Sequence, residues 1–126
     1  MYKHVLKKNK QKYNLSFFSN KSLEKIGSIL FSANTNNSGY IINLLVSEKF
    51  RKKDYGTILI KNAENILIEK HNINTIRLTA WENTYISGSL LGFFEKNGYS
   101  ITDKKDISYY DNGYDIYNII PMIKRM

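Results

Sequence analysis

The 126-residue chain is expected to fold as an α/β protein: a single domain with a mixed central β-sheet built around a strand-helix-strand core. Three observations predict this. Residues 40–46 (YIINLLV) and 75–80 (TIRLTA) are dense apolar runs of strand length. Between them, residues 55–71 change to the three-and-four spacing of a helix. Shorter β-prone stretches flank this unit on both sides, and the length suits one domain spanning 1–126 rather than two separate cores. A helix joining two strands of one sheet in this way makes them parallel, with a right-handed crossover.

The elements follow in order. Residues 1–12 are basic and lack the apolar centre of a signal peptide, leaving a short N-terminal region. Residues 13–19 (YNLSFFS) are aromatic and β-prone, residues 20–22 carry turn chemistry, and residues 26–33 (IGSILFSA) complete an antiparallel hairpin. The polar stretch 34–39 (NTNNSG) is a loop. Residues 40–46 are apolar enough for a central strand covered on both faces. Leu59, Ala63, Ile66, Leu67 and Lys70 set the spacing of the first helix, which Asn72 stops. A second helix over 85–97 ends at Gly98, where a left-handed residue is needed. Residues 99–102 and 114–120 close the chain as strands joined through 104–113. There is no internal repeat, low-complexity tract or linker.

Composition removes several chemistries. With 42% hydrophobic and 24% charged residues the chain is ordinary for a globular protein. No apolar run approaches the roughly 20 residues of a membrane-spanning helix, so a cytoplasmic protein with no membrane partner is expected. The absence of cysteine excludes disulfides, thiolate metal sites and cysteine nucleophiles, and two separated histidines, His4 and His71, give no expectation of a metal. The net charge of +8 suits a polyanionic partner, whether nucleic acid, an anionic surface or a phosphorylated cofactor. Abundant Ile, Asn, Lys and Tyr beside one proline is also the signature of an AT-rich genome, which supplies lysine for compositional reasons alone.

The segment 50–57 joins the apolar strand to the helix as a short basic loop with a glycine. Unpaired amides and the positive end of the helix dipole attract phosphate oxygens at such a junction. Arg51, Lys52 and Lys53 add cationic charge, Gly56 allows close backbone approach, and Thr57 offers a hydroxyl. A solvated basic turn is the plainer alternative. Residues 44–57 (LLVSEKFRKKDYGT) further resemble the coenzyme-binding motif of the GNAT (GCN5-related) N-acetyltransferases, in which Gln or Arg is followed by two variable residues, Gly, any residue, then Gly or Ala. Arg51 and Gly56 fill the first and last places, with Asp54 where the first glycine belongs. The segment 93–99 (FFEKNGY) resembles the family's second helix with its terminal signature, and IPMIKR its last strand. The resemblance runs from about Gly39 to the end of the chain and is closest to histone-type members.

The resemblance implies a GNAT-like fold and an acetyl-CoA-dependent N-acetyltransferase acting on a primary amine in a ternary complex. It implies a β-bulge in the central strand, main-chain contacts from Leu44, Leu45 and Val46 to the pantetheine arm, and a diphosphate held by Arg51, Lys52, Lys53, Asp54, Tyr55, Gly56 and Thr57. One strand amide would act as an oxyanion donor. Phe94 falls at the position of the tyrosine that many members use as general acid, and Tyr40 at the catalytic glutamate of histone-type members. Tyr40, Glu82 and Tyr85 are therefore the candidate proton-transfer residues, with Tyr99 a further candidate acid, although rim or packing roles are the simpler readings. A helical turn's excess between Ala80 and Phe93 affects the placement of Trp81, Asn83 and Ser87. Asp54 has two ways to avoid repelling a diphosphate: turning out to pair with Lys52 or Lys53, or capping the helix.

The family's usual opening strand and two helices have no counterpart in the short N-terminal region. Acceptor recognition is thus expected from the loops at 34–39 and 108–114, including Tyr109 and Tyr110, or from a second copy in a homodimer. Two other functions fit the residues less fully. One is a catalytically degenerate coenzyme-binding or regulatory module, suggested by Tyr40, Asp54 and Phe94. The other is a nucleic-acid binder using the lysines at 7–12 and the basic residues at 51–53, for which no recognised motif is present.

Overall fold

The computed structural model describes residues 2–34, 36–85 and 90–126. They form two compact units, residues 1–74 and 75–126. The first unit is an antiparallel sheet in chain order: β1 (Tyr2–Asn9), β2 (Lys12–Ser19), β3 (Lys25–Ala33) and β4 (Ser38–Val46), followed by helix α1 (Tyr55–His71). The hairpin read at 13–33 is β2–β3. The basic N-terminal stretch, however, is itself a strand, paired along its length with β2 through a two-residue turn in which Lys10 takes a left-handed φ of 56°. Its pattern was hidden because an outer strand alternates weakly and lysine is a common guard of such edges.

Tyr13, Leu15 and Phe17 of β2, with Ile26, Ile29 and Phe31 of β3, are buried in the core of this unit. Leu59, Ile60, Ala63, Glu64 and Leu67 of α1 are buried as well. The helix is therefore rotated from the expected spacing: Ile60 and Glu64 are buried, Ile66 is half-buried and Lys70 is exposed. A sharp C-terminal turn ends it, with Asn72 at φ 54° donating its amide to Ile68 O. Beside this end the Tyr13 hydroxyl, in a residue 1% exposed, lies 2.6 Å from His71 Nε2 and ties β2 to the helix.

The second unit is organised around β8 (Ile116–Arg125). Strand β5 (Thr75–Asn83) pairs antiparallel along one side of it, while β6 (Ser100–Ile101) and β7 (Ser108–Asp111) share the other. Pro121 stands where the partner changes, between Ile119, which faces β7, and Met122, which faces β6, so its missing N–H interrupts no long ladder. The expected simple hairpin across 104–113 is thus replaced by a short 3₁₀ turn (Lys104–Asp106) and an added strand. Helix α2 (Leu90–Lys96) packs on β5. The beginning of the second helix expected at 85–97, and Ser87 with it, lies outside the described residues.

The C-terminus of α2 conforms to its sequence signal. Gly98 sits at φ 96°, its amide donates to Glu95 O, and the Tyr99 amide donates to Phe94 O. These two bonds, with Phe94 and Tyr99 in edge contact at 6.1 Å, make a Schellman turn with its hydrophobic partner pair. Lys124 Nζ reaches the Asn97 carbonyl at 3.0 Å and lies 5.6 Å from the Tyr99 ring centroid, placing a cation at the negative end of the helix.

Candidate functional site

Strand β4 sets the geometry of the site. Its register with β3 passes from Leu30↔Asn43 to Phe31↔Ile41, so Ile42 is the extra residue of a β-bulge. Such a bulge twists the strand and re-aims the residues beyond it. Leu44, Leu45 and Val46 follow, opposite Ile29, Ser28 and Gly27. The expectation that β4 is covered on both faces is corrected here: Tyr40, Ile42 and Leu45 are exposed, Leu45 to 57%, while Gly39 and Ile41 are buried. The run is apolar throughout, yet one of its faces is open.

The end of β4 is held in place from several sides. A Cβ on Gly27 would stand 2.6 Å from Leu45 O and 3.2 Å from both Val46 Cα and Leu59 Cδ1, so β3, β4 and α1 converge on a point that has no room for a side chain. Ser47 donates its amide to Ile26 O and its hydroxyl to Lys25 O, both at 2.8 Å. A 3₁₀ turn, Glu48–Phe50, is steadied by the Lys49–Glu24 ion pair at 2.9 Å. Arg51 then folds back and donates Nε to Val46 O at 3.0 Å, closing the loop on the strand it has just left. The sequence had signalled Arg51 but not Ser47 or Gly27. The available signals were a serine directly after the apolar run and a glycine inside a β-prone one.

Past Arg51 the backbone alternates. Lys52 has φ 63° and Asp54 has φ 65° with ψ 10°, both left-handed, and Lys53 lies between them without a positive φ. Alternation of this kind turns successive N–H groups toward one side and makes an anion-binding concavity. The first bond of α1 is from the Ile58 amide to the Asp54 carbonyl at 3.0 Å. The amides of Tyr55, Gly56 and Thr57 therefore have no acceptor inside the helix. Neither arrangement expected for the Asp54 side chain is formed: it caps no amide, and among the described residues no ion pair includes it. Lys52 likewise has no carboxylate partner, and Lys53 Nζ lies 6.0 Å from the Phe50 ring centroid.

Aromatic contacts brace this helix start. Tyr55 meets Phe50 edge-on at 6.2 Å and Tyr2 of β1 at 5.8 Å, and Tyr2 stacks on Phe17 at 4.3 Å. The site-bearing loop is thereby coupled to the outermost strand. In the second unit Glu82 is half-buried on the β5 face that also carries Ile76, Leu78 and Ala80, whereas Trp81 points to the opposite side. Asn83 follows, and its Oδ1 accepts the Tyr85 amide at 2.9 Å, with the Tyr85 side chain exposed. Phe94 is 6% exposed and Tyr99 2%, both within the packing under the Schellman turn.

Residues 4–99 match the model of the acetyltransferase (GNAT) family. Among curated proteins no sequence matches the chain. Solved structures show the fold. A Bacillus anthracis chain determined with acetyl coenzyme A is 22% identical, with a TM-score of 0.70 over 94% of this chain and 64% of its own. The PaiA N-acetyltransferase of Thermoplasma acidophilum, determined with coenzyme A, is 23% identical, with a TM-score of 0.67 over 92% and 62%. This chain thus spans somewhat less than two thirds of the length of those two. A Bacillus subtilis acetyltransferase determined with CoA is 14% identical and matches over 100% of this chain and 99% of its own, with a TM-score of 0.73. The α/β fold expected from the sequence is the fold of these proteins.

Proposed function

Since the chain belongs to the acetyltransferase (GNAT) family, we propose that it transfers an acetyl group from acetyl-CoA to a primary amine, with residues 1–126 acting as one N-acetyltransferase domain. The observation that carries this reading is the set of unpaired amides of Tyr55, Gly56 and Thr57 following the left-handed residues Lys52 and Asp54. A diphosphate supplies the acceptor oxygens these amides lack, and Arg51, Lys52 and Lys53 supply counter-charge. Main-chain groups of Leu44, Leu45 and Val46, beyond the Ile42 bulge, are assigned to the pantetheine arm and the thioester carbonyl. Phe94 is assigned to the coenzyme side as an apolar packing residue.

In the reaction the neutral amine nitrogen attacks the thioester carbonyl carbon. The N–C bond forms, the C–S bond breaks, the nitrogen loses a proton and the departing thiolate gains one. A β4 amide donating to the carbonyl oxygen stabilises the charge that develops there. Because an alkylamine with a pKa near 10 is mostly protonated at neutral pH, the site must remove that proton before attack. Glu82, acting through water, and the Tyr40 and Tyr85 hydroxyls are assigned to proton movement. Glu82→Gln, Tyr40→Phe and Tyr85→Phe should each alter the pH profile of kcat and leave coenzyme affinity unchanged if this assignment holds.

The unpaired Asp54 carboxylate favours a second reading, a module that holds coenzyme without turnover. Both readings predict stabilisation by ligand. Acetyl-CoA at a hundredfold excess over its Kd should raise the melting midpoint by about 10 °C. Thiol release over a panel of amines then separates the two, and an unmoved midpoint would remove both.

A further inference from the structure

The coenzyme reading uses the end of β4 and the start of α1 and leaves the outer face of the β1–β4 sheet without a task. Helix α1 lies on the other face: a Cβ on Gly27 would meet Leu59 of the helix at 3.2 Å, one on Gly39 would meet Leu67 at 2.8 Å, and Phe17, which opposes Gly27, is buried on that side. Alternation sends the intervening residues of each strand outward. Register lays them in rows across the strands. Lys3 opposes Phe18 and Phe18 opposes Lys25; Lys7 opposes Asn14; Lys12 opposes Ser32, which opposes Tyr40. Ser16 lies between the first two rows and donates its hydroxyl to Asn14 Oδ1 at 3.3 Å.

The cations of this face have no counter-charge on it. Residues 1–74 carry thirteen Lys and Arg against five Asp and Glu, which is the chain's whole excess of eight, since residues 75–126 carry six of each. Residues 1–46, which make the sheet, hold seven lysines and a single acidic residue, Glu24, and Lys49 takes it at 2.9 Å. Among the described residues no ion pair includes Lys3, Lys7, Lys12 or Lys25, and all four are exposed. Protection of a sheet edge explains lysine on β1, but not Lys12 and Lys25 on the inner strands. Two rings accompany the cations: half-buried Phe18 between Lys3 and Lys25, and Tyr40, 39% exposed, at the end of the Lys12 row. Val5 and Leu30 are half-buried between the rows, so the outward surface is basic and polar, which suits a solvated polyanion better than a bilayer.

We propose that this face docks a single-stranded nucleic acid. Its lysines engage phosphates, Asn14 and Ser16 meet sugar or base edges, and Phe18 and Tyr40 are stacking rings. A sheet face offers a platform to unstacked bases, whose rings and edges a duplex keeps inside. The surface belongs to the first unit alone and is independent of the coenzyme assignment.

Fluorescence anisotropy of a labelled uridine dodecamer tests the proposal. Affinity should fall with salt, with a slope of log K on log salt of about −2 to −3, as three or four lysines engaging phosphates require. The Lys7→Gln, Lys12→Gln double variant should weaken binding about tenfold in about 0.1 M NaCl and flatten that slope by about 1.4. Lys8→Gln with Lys70→Gln removes the same charge from the α1 side, where Lys8 opposes Tyr13 with its Nζ 5.5 Å from that ring and Lys70 is exposed on the helix. That control should keep the affinity and slope of the unaltered protein. Phe18→Leu should weaken binding several-fold in protein that still melts cooperatively. Equal losses in the two lysine pairs, or no loss in the Phe18 variant, would reduce the effect to net charge and overturn the proposal. Sedimentation with phosphatidylserine vesicles in the absence of dodecamer binding would overturn it in favour of a membrane. The Lys7, Lys12 variant should retain the thermal shift given by acetyl-CoA, so failure of this surface and failure of the coenzyme reading are seen separately.

Discussion

Asp54 combines two disadvantages that its substitution can separate. It holds a left-handed backbone that costs an L-residue about 1 kcal/mol, and it places an unpaired carboxylate at a helix start assigned to phosphate. Asp54→Gly should therefore raise the melting midpoint of the free protein and also tighten acetyl-CoA binding. Asp54→Ala should tighten binding with no rise in midpoint, because it removes the charge and keeps the strain. Calorimetry beside thermal melts checks both, and weaker coenzyme binding by the glycine variant would contradict the cradle. At the opposite end of α1, Tyr13→Phe removes the 2.6 Å contact to His71 and should cost about 1 kcal/mol in urea denaturation with no effect on coenzyme affinity. Single residues were only partly legible. Arg51 and Gly56 stood out by spacing, whereas the Tyr13–His71 partnership, 58 positions apart, has no local signature.

At the scale of elements, the junction of β3, β4 and α1 is the least forgiving part of the first unit. Gly27→Ala must push the carbonyl of Leu45 away from a Cβ that would lie 2.6 Å from it, and backbone in the middle of a ladder moves only at a cost. A loss of about 1–3 kcal/mol is expected, as for other overpacked sites. Because Leu45 and Val46 move with it, coenzyme affinity should fall as well, whereas a destabilised variant with unchanged affinity would detach this junction from the site. Elements whose signals are local were read correctly. The 55–71 helix has its bounds and its Asn72 stop, although its buried face is rotated from the spacing read for it, and Gly98 marks the end of α2 because the left-handed turn needs it. Strands whose identity depends on a partner were not read. β7 carries exposed side chains throughout and exists because β8 offers it an edge. The open face of β4 was invisible for a related reason, since Tyr40, Ile42 and Leu45 are as apolar as the residues they alternate with.

Across the whole molecule, charge is the property that sequence reading described in amount but not in placement. A count of +8 belongs to the chain, yet all of it lies in residues 1–74, the unit to which the diphosphate is assigned by proposal. Binding of an anionic coenzyme there should weaken several-fold between about 0.05 and 0.5 M NaCl as the screening length shrinks. An affinity indifferent to salt would mean that the lysines serve solubility alone. The outermost strand, β1, carries part of that charge in Lys3, Lys7 and Lys8, and it shields β2, whose Tyr13, Leu15 and Phe17 are almost completely buried. A protein trimmed of its first eleven residues would present β2 as a bare, greasy border with unsatisfied peptide groups. Such a border invites one molecule to zip onto the next, so the lysine-rich opening strand doubles as insulation against fibrous self-association.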